Sequence, residues 1–318
     1  MKRLLGAAIV VLLGVGPALA QAQEKMHRIS ALGTSSEARL RSFLKPALET
    51  IGLVEGHNLV LDIRAGPPEE MPRLLQEMVA GKPRLIIASG GAAVRAAKSA
   101  TGTIPIVMFA ADVVEQGVVK SLARPGANLT GLAILSRELN VKRLGLLHEA
   151  IPPARRIAIL IDPSNLLEVA GRREMSEAAA KAGIEVLFFE ASGPENYAAA
   201  IDAMRAAHAD ALAINNSPLF ARDGARLAQL ALEARLPTAC EWREMAEQGC
   251  VFSYGPSLTA LYARVADYVD RILKGAAPGD LPIEQPTHFE FVLNARTSKA
   301  LGLELSPLLL TRADKVIE

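Results

Sequence analysis

Six short polar segments carry the side chains best suited to binding a small molecule. Each follows an apolar run of strand length, and together they supply Ser, Thr, Asn, Gly and a few carboxylates, without His or a Lys cluster. Such groups suit neutral hydrogen bonding to a small polar solute, and helix starts nearby leave backbone N–H groups free. The six segments are residues 33–36, 89–92, 110–112, 162–165, 215–218 and 241–242.

Eleven residues of these segments are our candidates for ligand contact. Each has a structural alternative, because Ser, Thr, Asp and Asn also cap helices and Gly permits tight turns. The carboxylates of Asp112 and Glu241 suit a ligand ammonium group, but each could instead cap or begin a helix. The candidates are Thr34, Ser35, Ser89, Gly90, Gly91, Ala110 and Asp112 in the first half of the chain, and Asn165, Asn215, Ser217 and Glu241 in the second.

Sequence motifs for catalysis, metals and nucleic acid are missing. Residues 89–91 lack the G-x-S-x-G elbow of a serine nucleophile, no phosphate-binding G-x-x-x-x-G-K-[ST] loop occurs, and residues 33–36 are not G-x-G-x-x-G. The five histidines are scattered, and none stands at zinc-ligand spacing from a cysteine. A formal net charge of +1 offers no basic face for nucleic acid. We therefore expect no enzyme, no cofactor, no metal and no nucleic-acid partner.

The first 20 residues have the pattern of a cleavable export signal. Lys2 and Arg3 precede the apolar residues 4–13, and the A-x-A sequence at 18–20 is a cleavage site. The apolar run is shorter than the roughly 20 residues that a membrane-spanning helix needs. We expect cleavage after Ala20, with the mature protein in the periplasm.

Two cysteines, Cys240 and Cys250, leave two states open. In an exported protein they could pair and close a short loop, which would contribute roughly 2–3 kcal/mol. The alternative is a pair of buried thiols on neighbouring elements. The sequence does not give the Cα separation that would decide between them.

Apolar runs alternate with amphipathic stretches along the whole chain, which predicts parallel strands joined by crossover helices. The pattern starts twice, so we predict two α/β lobes with residues 135–153 as the first crossing between them. The predicted strands are 27–32, 58–64, 85–88, 105–110, 156–161, 184–189, 211–214 and 236–239. The predicted helices are 37–51, 71–79, 92–100, 113–123, 166–182, 197–207 and 221–234. Residues 250–254, 258–273 and 278–286 follow the second unit and give the chain room to return to the first lobe and cross again. Ligands of such sheets bind beyond the carboxyl ends of the strands, where the six polar segments lie.

Several longer segments, all in the same order, resemble the ABC transporter substrate-binding family that includes tryptophan- and tyrosine-binding lipoproteins. The chain departs from the family at residues 111–114, where Asp-Pro is usual, and at Cys250, where Gly or Ala is common. The matching segments are GLVEGHN (52–58), TIPIV (103–107), SLARPGANLTG (121–131), SYGP (253–256), YVDRILKG (268–275), DLPIEQP (280–286), ALGL (300–303) and RADKVIE (312–318).

This resemblance implies the type I periplasmic-binding fold, in which two Rossmann-like lobes are joined by three hinge crossings. The implied N-terminal lobe is 27–135 plus about 251–280, and the C-terminal lobe is 136–250 plus about 281–318. The resemblance further implies that the protein closes on its ligand and docks onto the transmembrane subunits of an ABC permease. We expect a monomer whose solute is small and polar, an amino acid or a similar compound. A ligand-sensing protein that feeds a signalling partner is the alternative.

Overall fold

The computed structural model describes residues 26–318, so the predicted signal sequence lies outside the described residues. The first five strands form one parallel sheet in the order β2-β1-β3-β4-β5. The chain places β2 on one side of β1 and then crosses to place β3 on the other side, so the strand order reverses between β1 and β3. In open α/β sheets, ligands bind beyond the carboxyl ends of the strands at such a point. These strands are β1 (His27–Gly33), β2 (Leu59–Ala65), β3 (Leu85–Ser89), β4 (Ile106–Ala111) and β5 (Leu129–Ile134).

Helices cover both faces of this sheet, and we call the sheet with its helices the first lobe. They are α1 (Glu37–Glu49), α2 (Met71–Ala80) and α3 (Gly91–Ala100), with a short 3-10 helix at Pro68–Glu70. Their buried side chains fall at helical spacing, as Leu40, Leu44 and Leu48 do in α1. The strands between them are buried on both sides, which explains their near-continuous apolar sequences.

The second sheet has seven strands in the order β12-β11-β10-β9-β8-β6-β7, and it forms the second lobe. Strands β6 to β10 are mutually parallel and repeat the strand order of the first sheet, whereas β11 pairs antiparallel with β10. The strands are β6 (Arg156–Ile161), β7 (Glu185–Glu190), β8 (Ala211–Ile214), β9 (Thr238–Cys240), β10 (Phe252–Pro256), β11 (Phe289–Asn294) and β12 (Lys315–Ile317).

Ten helices follow in the second half of the chain, and all but one belong to the second lobe. The exception is α11, which packs on α1, β4 and β5 of the first lobe. In chain order they are α4 (Ser136–Ala150), α5 (Leu166–Ala170), α6 (Arg172–Lys181), α7 (Pro194–Ala206), α8 (Pro218–Arg222), α9 (Gly224–Glu233), α10 (Arg243–Glu247), α11 (Leu258–Leu273), α12 (Ala295–Leu301) and α13 (Pro307–Arg312).

The chain passes between the two lobes three times, at residue 135, at residue 257 and at residues 285–288. One apolar cluster continues across these crossings and includes Phe109 and Ile134 of the first lobe with Phe220 and Trp242 of the second. The two-lobed fold with a three-crossing hinge that the resemblance implies is confirmed.

The implied lobe limits need correction at the second and third crossings. Strand β10 hydrogen-bonds to β9 and β11 and so lies in the second lobe, although residues from about 251 were assigned to the first. Conversely, Glu284 bridges to Leu132 of β5, and Ile283 lies in the first-lobe core, so the chain leaves the first lobe after residue 284.

The helix predicted over residues 113–123 is also wrong, because this segment forms turns. Gly117 adopts a positive φ of 66° in its middle, and hydrogen bonds such as Val118 N to Val113 O close turns. Val113, Val118 and Val119 are nevertheless buried, which accounts for the apolar spacing that indicated a helix. Strand β5, which follows, was not predicted. Within residues 26–318, no helix is both long and apolar enough to cross a membrane.

Candidate functional site

A cleft of about 610 Å³, partly open to solvent, lies between the two lobes. It forms where the carboxyl ends of β1, β3 and β4 face the segments after β8 and β9, with α11 along one side. Both lobes contribute to its walls, as expected for a site at facing strand ends. The lining residues are Thr34, Ser35, Arg39, Phe43, Ser89, Gly90, Phe109, Ala110, Ala111, Ile134, Asn216, Pro218, Ala221, Trp242, Leu258 and Tyr262.

Most of the polar lining residues belong to the first lobe, and five of the eleven candidates line the cleft there: Thr34, Ser35, Ser89, Gly90 and Ala110. Gly90 has a φ of 94°, and a Cβ on it would lie 2.7 Å from the Thr34 Oγ1. The positive φ and the short distance to Thr34 each require glycine at this position, and without a side chain the backbone of Gly90 is exposed to the cleft. Ser36 beside them caps α1 by accepting a hydrogen bond from Arg39 N (3.2 Å), so the capping alternative holds for this loop.

Four aromatic side chains belong to the apolar part of the cleft lining. Phe109 meets Trp242 and Tyr262 edge to face, with centroid distances of 6.5 and 6.0 Å, and Tyr262 stacks on Phe43 at 5.6 Å. Such ring pairs hold one another in fixed orientations. Only Trp242 lies in one of the predicted polar segments. Phe43 and Tyr262 lie in the middle of helices, where the sequence gives no sign of which face meets a ligand.

Arg39 is the one charged residue among the described residues that line the cleft. Its guanidinium lies over the Phe43 ring, 5.7 Å from the centroid, and its Nη2 is 3.5 Å from Glu244 Oε2. The sequence does not mark Arg39 as a site residue, since an arginine in the first turns of an amphipathic helix is typical of a solvated face. Its position at the cleft follows from the fold and not from the local pattern.

The two other first-lobe candidates lie outside the cleft lining. A Cβ on Gly91 would lie 2.7 Å from Gln116 Oε1, so this residue is packed against the segment after β4. Asp112 is buried and accepts a hydrogen bond from Ser136 N (3.1 Å) at the start of α4. Burial and the nearby Glu115 raise the pKa of Asp112 to about 6, partly opposed by the Ser136 hydrogen bond. Asp112 therefore joins the first lobe to the hinge.

The four second-lobe candidates do not line the cleft but lie directly behind residues that do. Asn165 donates weakly to Asn216 O (3.4 Å), and Asn215 donates to Glu168 (2.5 Å). Ser217 donates to Asp162 (2.8 Å) and caps α8 by accepting from Leu219 N (3.1 Å). In this lobe the neighbouring residues Asn216 and Pro218 line the cleft in their place.

Glu241 is almost fully buried between two lining residues, Asn216 and Trp242. Its Oε2 accepts a hydrogen bond from the Asn216 side chain, whereas its Oε1 accepts none within the described residues. Burial raises the pKa of Glu241, and the positive charge of Arg143, the Asn216 hydrogen bond and Arg39 oppose this rise. Burying a carboxylate oxygen without a hydrogen-bond donor costs free energy, so Glu241 is a buried group that needs a further polar partner.

Cys240 and Cys250 are free thiols, and both are buried. The Cys240 thiol donates to Phe252 O (3.3 Å) and lies within hydrogen-bonding reach of Cys250. Burial, with the Cys250 contact, raises the pKa of Cys240 well above its usual value. The structure therefore has the second of the two predicted states. Within the described part of the chain, no group of His, Cys, Asp and Glu side chains could hold a metal ion.

Comparison with known proteins agrees with this architecture. A tyrosine-binding protein of Clostridioides difficile is 27% identical over 269 residues, which cover 83% of this chain and 76% of that protein. A conserved domain protein of Vibrio cholerae superposes with a TM-score of 0.84 at 26% identity, covering 92% of this chain and all of that one. An ABC domain of Streptococcus pneumoniae in complex with L-Trp gives a TM-score of 0.83 at 21% identity, with coverage of 92% and 100%.

The family described as ABC transporter substrate binding protein matches residues 32–317. Because this match spans most of the chain, the protein belongs to the ABC transporter substrate-binding protein family.

Proposed function

We propose that this protein is the exported solute-binding component of an ABC importer, and that it captures an amino acid with an aromatic side chain. The observation that carries the proposal is the interlobe cleft itself, in which four aromatic rings face a wall of hydroxyl and backbone groups. A pocket that is mostly apolar, with few polar groups at fixed places, is typical of a small-molecule site.

The cleft offers a partner for each part of such a solute. Phe43, Phe109, Trp242 and Tyr262 suit an aromatic side chain, because offset and edge-to-face ring contacts add to the burial of apolar surface. Arg39 and the hydroxyl groups of Thr34 and Ser35 suit a carboxylate. Glu241 suits an ammonium group, since one of its oxygens lacks a donor. The similar proteins whose names mention tyrosine and L-Trp add support.

Binding would act through closure of the two lobes. A solute that touches both walls interacts more strongly with the closed arrangement than with an open one, and so shifts the population toward closure. The closed form would then dock onto the permease, which would receive the solute outside the cytoplasmic membrane. Nothing in this sequence of events requires a bond to be made or broken, so we propose binding and no catalysis.

A thermal-shift screen of the chain without residues 1–20 tests the binding step. Ligand at about 100 times its Kd stabilises the folded state by about 2.7 kcal/mol, which raises Tm measurably. We expect L-tryptophan, L-tyrosine or L-phenylalanine to raise Tm, and glycine and L-glutamate to leave it unchanged. If the aromatic amino acids leave Tm unchanged while another solute class raises it, the proposed specificity is wrong.

Transport is tested separately in a deletion strain. Loss of uptake of the bound amino acid, restored by the intact gene, supports delivery to a permease. Normal uptake together with a lost transcriptional response to that amino acid would instead identify a ligand-sensing protein.

A further inference from the structure

We infer that Arg39 and Glu244 form a latch between the lobes, and that Glu244 positions the Arg39 guanidinium for an anionic group of the solute. Arg39 lies in α1 of the first lobe, and Glu244 lies in α10 of the second. The Nη2 of Arg39 is 3.5 Å from Glu244 Oε2. Among the ion pairs formed within residues 26–318, this is the one that joins the two lobes.

Partial burial gives this pair more weight than a surface ion pair. The two side chains are 19% and 26% exposed, and the Oε2 of Glu244 is itself buried and accepts no hydrogen bond within the described residues. Removing one member would leave the other charge in an environment that solvates it poorly. Because Arg39 and Glu244 belong to different lobes, their attraction is available only when α1 and α10 lie close together, and it therefore favours a closed arrangement of the lobes.

Arg39 retains donors for a solute while it is paired. A guanidinium has five N–H donors in one plane, and within residues 26–318 none of those of Arg39 makes a hydrogen bond to the protein. The ring of Phe43 fixes that plane from one side, 5.7 Å from the guanidinium carbon, and Glu244 holds one edge. Arg39 also lines the cleft, where its free N–H groups can bind a carboxylate in the bidentate manner typical of arginine.

The latch stands on interlobe geometry alone, whereas the role of Arg39 toward a solute rests on the proposed function. Two consequences follow. Neutralising Glu244 lowers the closed population even without solute and shortens the lifetime of the complex. Neutralising Arg39 does the same and also removes the preference for a solute that carries a carboxylate.

The experiment compares Glu244→Gln and Arg39→Gln with matched controls on the same two helices. Arg41 pairs with Glu55 inside the first lobe and Glu247 pairs with Lys315 inside the second, so Arg41→Gln and Glu247→Gln remove ion pairs of similar kind that do not join the lobes. Small-angle X-ray scattering of the solute-free proteins measures opening, and titration with L-tryptophan and L-tryptophanamide measures the contribution of the carboxylate.

We expect both test variants to have a larger solute-free radius of gyration than wild type, and both controls to match wild type. Glu244→Gln should weaken L-tryptophan binding about fivefold, mainly through faster dissociation. Arg39→Gln should weaken it roughly tenfold or more and bring its affinity close to that of L-tryptophanamide. The double variant should cost less than the two single variants combined.

An unchanged radius of gyration for Glu244→Gln, or additive effects in the double variant, would overturn the latch. A preference for L-tryptophan over the amide that survives in Arg39→Gln would overturn the carboxylate contact. If wild-type protein binds neither compound, the proposed amino-acid specificity fails, while the scattering comparison still decides whether the latch exists.

Discussion

The side-chain amide of Asn215 donates a 2.5 Å hydrogen bond to the buried carboxylate of Glu168. Asn140 of α4 donates to both oxygens of the same carboxylate (2.8 and 2.9 Å) and also accepts from the buried Arg143. Asn215 stands directly after a strand, where a ligand contact was predicted, but its donor is used inside the second lobe. The resulting network ties α4, α5 and β8 together beneath the floor of the cleft.

This network makes the stability of the protein depend on pH. Burial raises the pKa of Glu168 from 4.5 to about 7, although the hydrogen bonds from Asn215 and Asn140 and the charge of Arg143 oppose the rise. Between pH 4.5, the ordinary pKa that applies to the unfolded chain, and pH 7, the folded state binds more protons than the unfolded state. The free energy of unfolding therefore decreases as pH rises from about 4.5 through 7, on the order of 3 kcal/mol for this group.

Urea unfolding from about pH 5 to pH 8 measures this dependence. We expect Glu168→Gln to flatten the decrease, because the amide cannot ionise. Asp112, whose pKa is raised to about 6 chiefly by burial, contributes with the same sign and leaves part of the slope in place. The exposed Glu185→Gln serves as the control and should keep the wild-type slope. An equal slope in Glu168→Gln and wild type would show that this carboxylate stays ionised throughout.

The strand ends that border the cleft were predictable from the sequence. Apolar runs covered on both faces end where polar residues begin, so the sequence alone predicts the segments that hold Thr34, Ser89 and Ala110. The aromatic residues Phe43 and Tyr262 were not, because helical spacing shows that a face is buried without showing what it faces. In α1 and α11 that face meets the other helix and the cleft at once.

The limits of sequence periodicity also explain two wrong predictions, the helix over residues 113–123 and the assignment of β10 to the first lobe. Residues 113–119 bury three valines through turns, and a spacing of this kind cannot be told from one turn of helix. Strand β10 follows β9 in both sequence and sheet, but its partner β11 comes more than 30 residues later. Such a pairing depends on contacts far apart in the chain, and no local pattern records them.

Thiol labelling decides whether Cys240 and Cys250 are paired in the purified protein. Both are buried, and burial raises the pKa of Cys240, so the thiolate that reacts with alkylating agents is scarce. We expect iodoacetamide to label neither cysteine in the native protein at neutral pH, and both after unfolding without a reductant. Intact mass measures the number of labels. Labels that appear only after reduction would demonstrate the disulfide.

Gly131 in β5 should be intolerant of any side chain. Its φ is 135°, and a Cβ would lie 2.1 Å from the backbone oxygen of Met108 in the neighbouring strand. Gly131→Ala must therefore displace β5 from β4, which we expect to cost about 3 kcal/mol or more. Gly145→Ala is the matched control, since that helical glycine has an ordinary φ and an added Cβ would meet no atom within 4 Å beyond the neighbouring backbone of its own helix.

The control should be neutral or stabilising by up to about 1 kcal/mol, because alanine favours a helix. Urea or thermal unfolding measures both variants. Equal stability of Gly131→Ala and Gly145→Ala would mean that the close approach of β5 to β4 is wrong.

Glu241 is the most direct test of the amino-acid hypothesis. The carboxylate is buried behind Asn216, and its Oε1 lacks a donor within the described residues, so an ammonium group would find an ionic partner there. Glu241→Gln keeps the shape and the hydrogen bond but removes the charge. We expect it to weaken L-tryptophan binding about tenfold, since hydrogen bonds to charged groups contribute about 1.5–3 kcal/mol.

The solute-free protein should keep its Tm or gain slightly, because burial already raises the pKa of this group. Indole-3-propionate, which lacks the ammonium group, should bind wild type and variant equally. A variant that retains wild-type affinity for L-tryptophan would assign Glu241 to the interior of the second lobe and leave the ammonium group without its proposed partner.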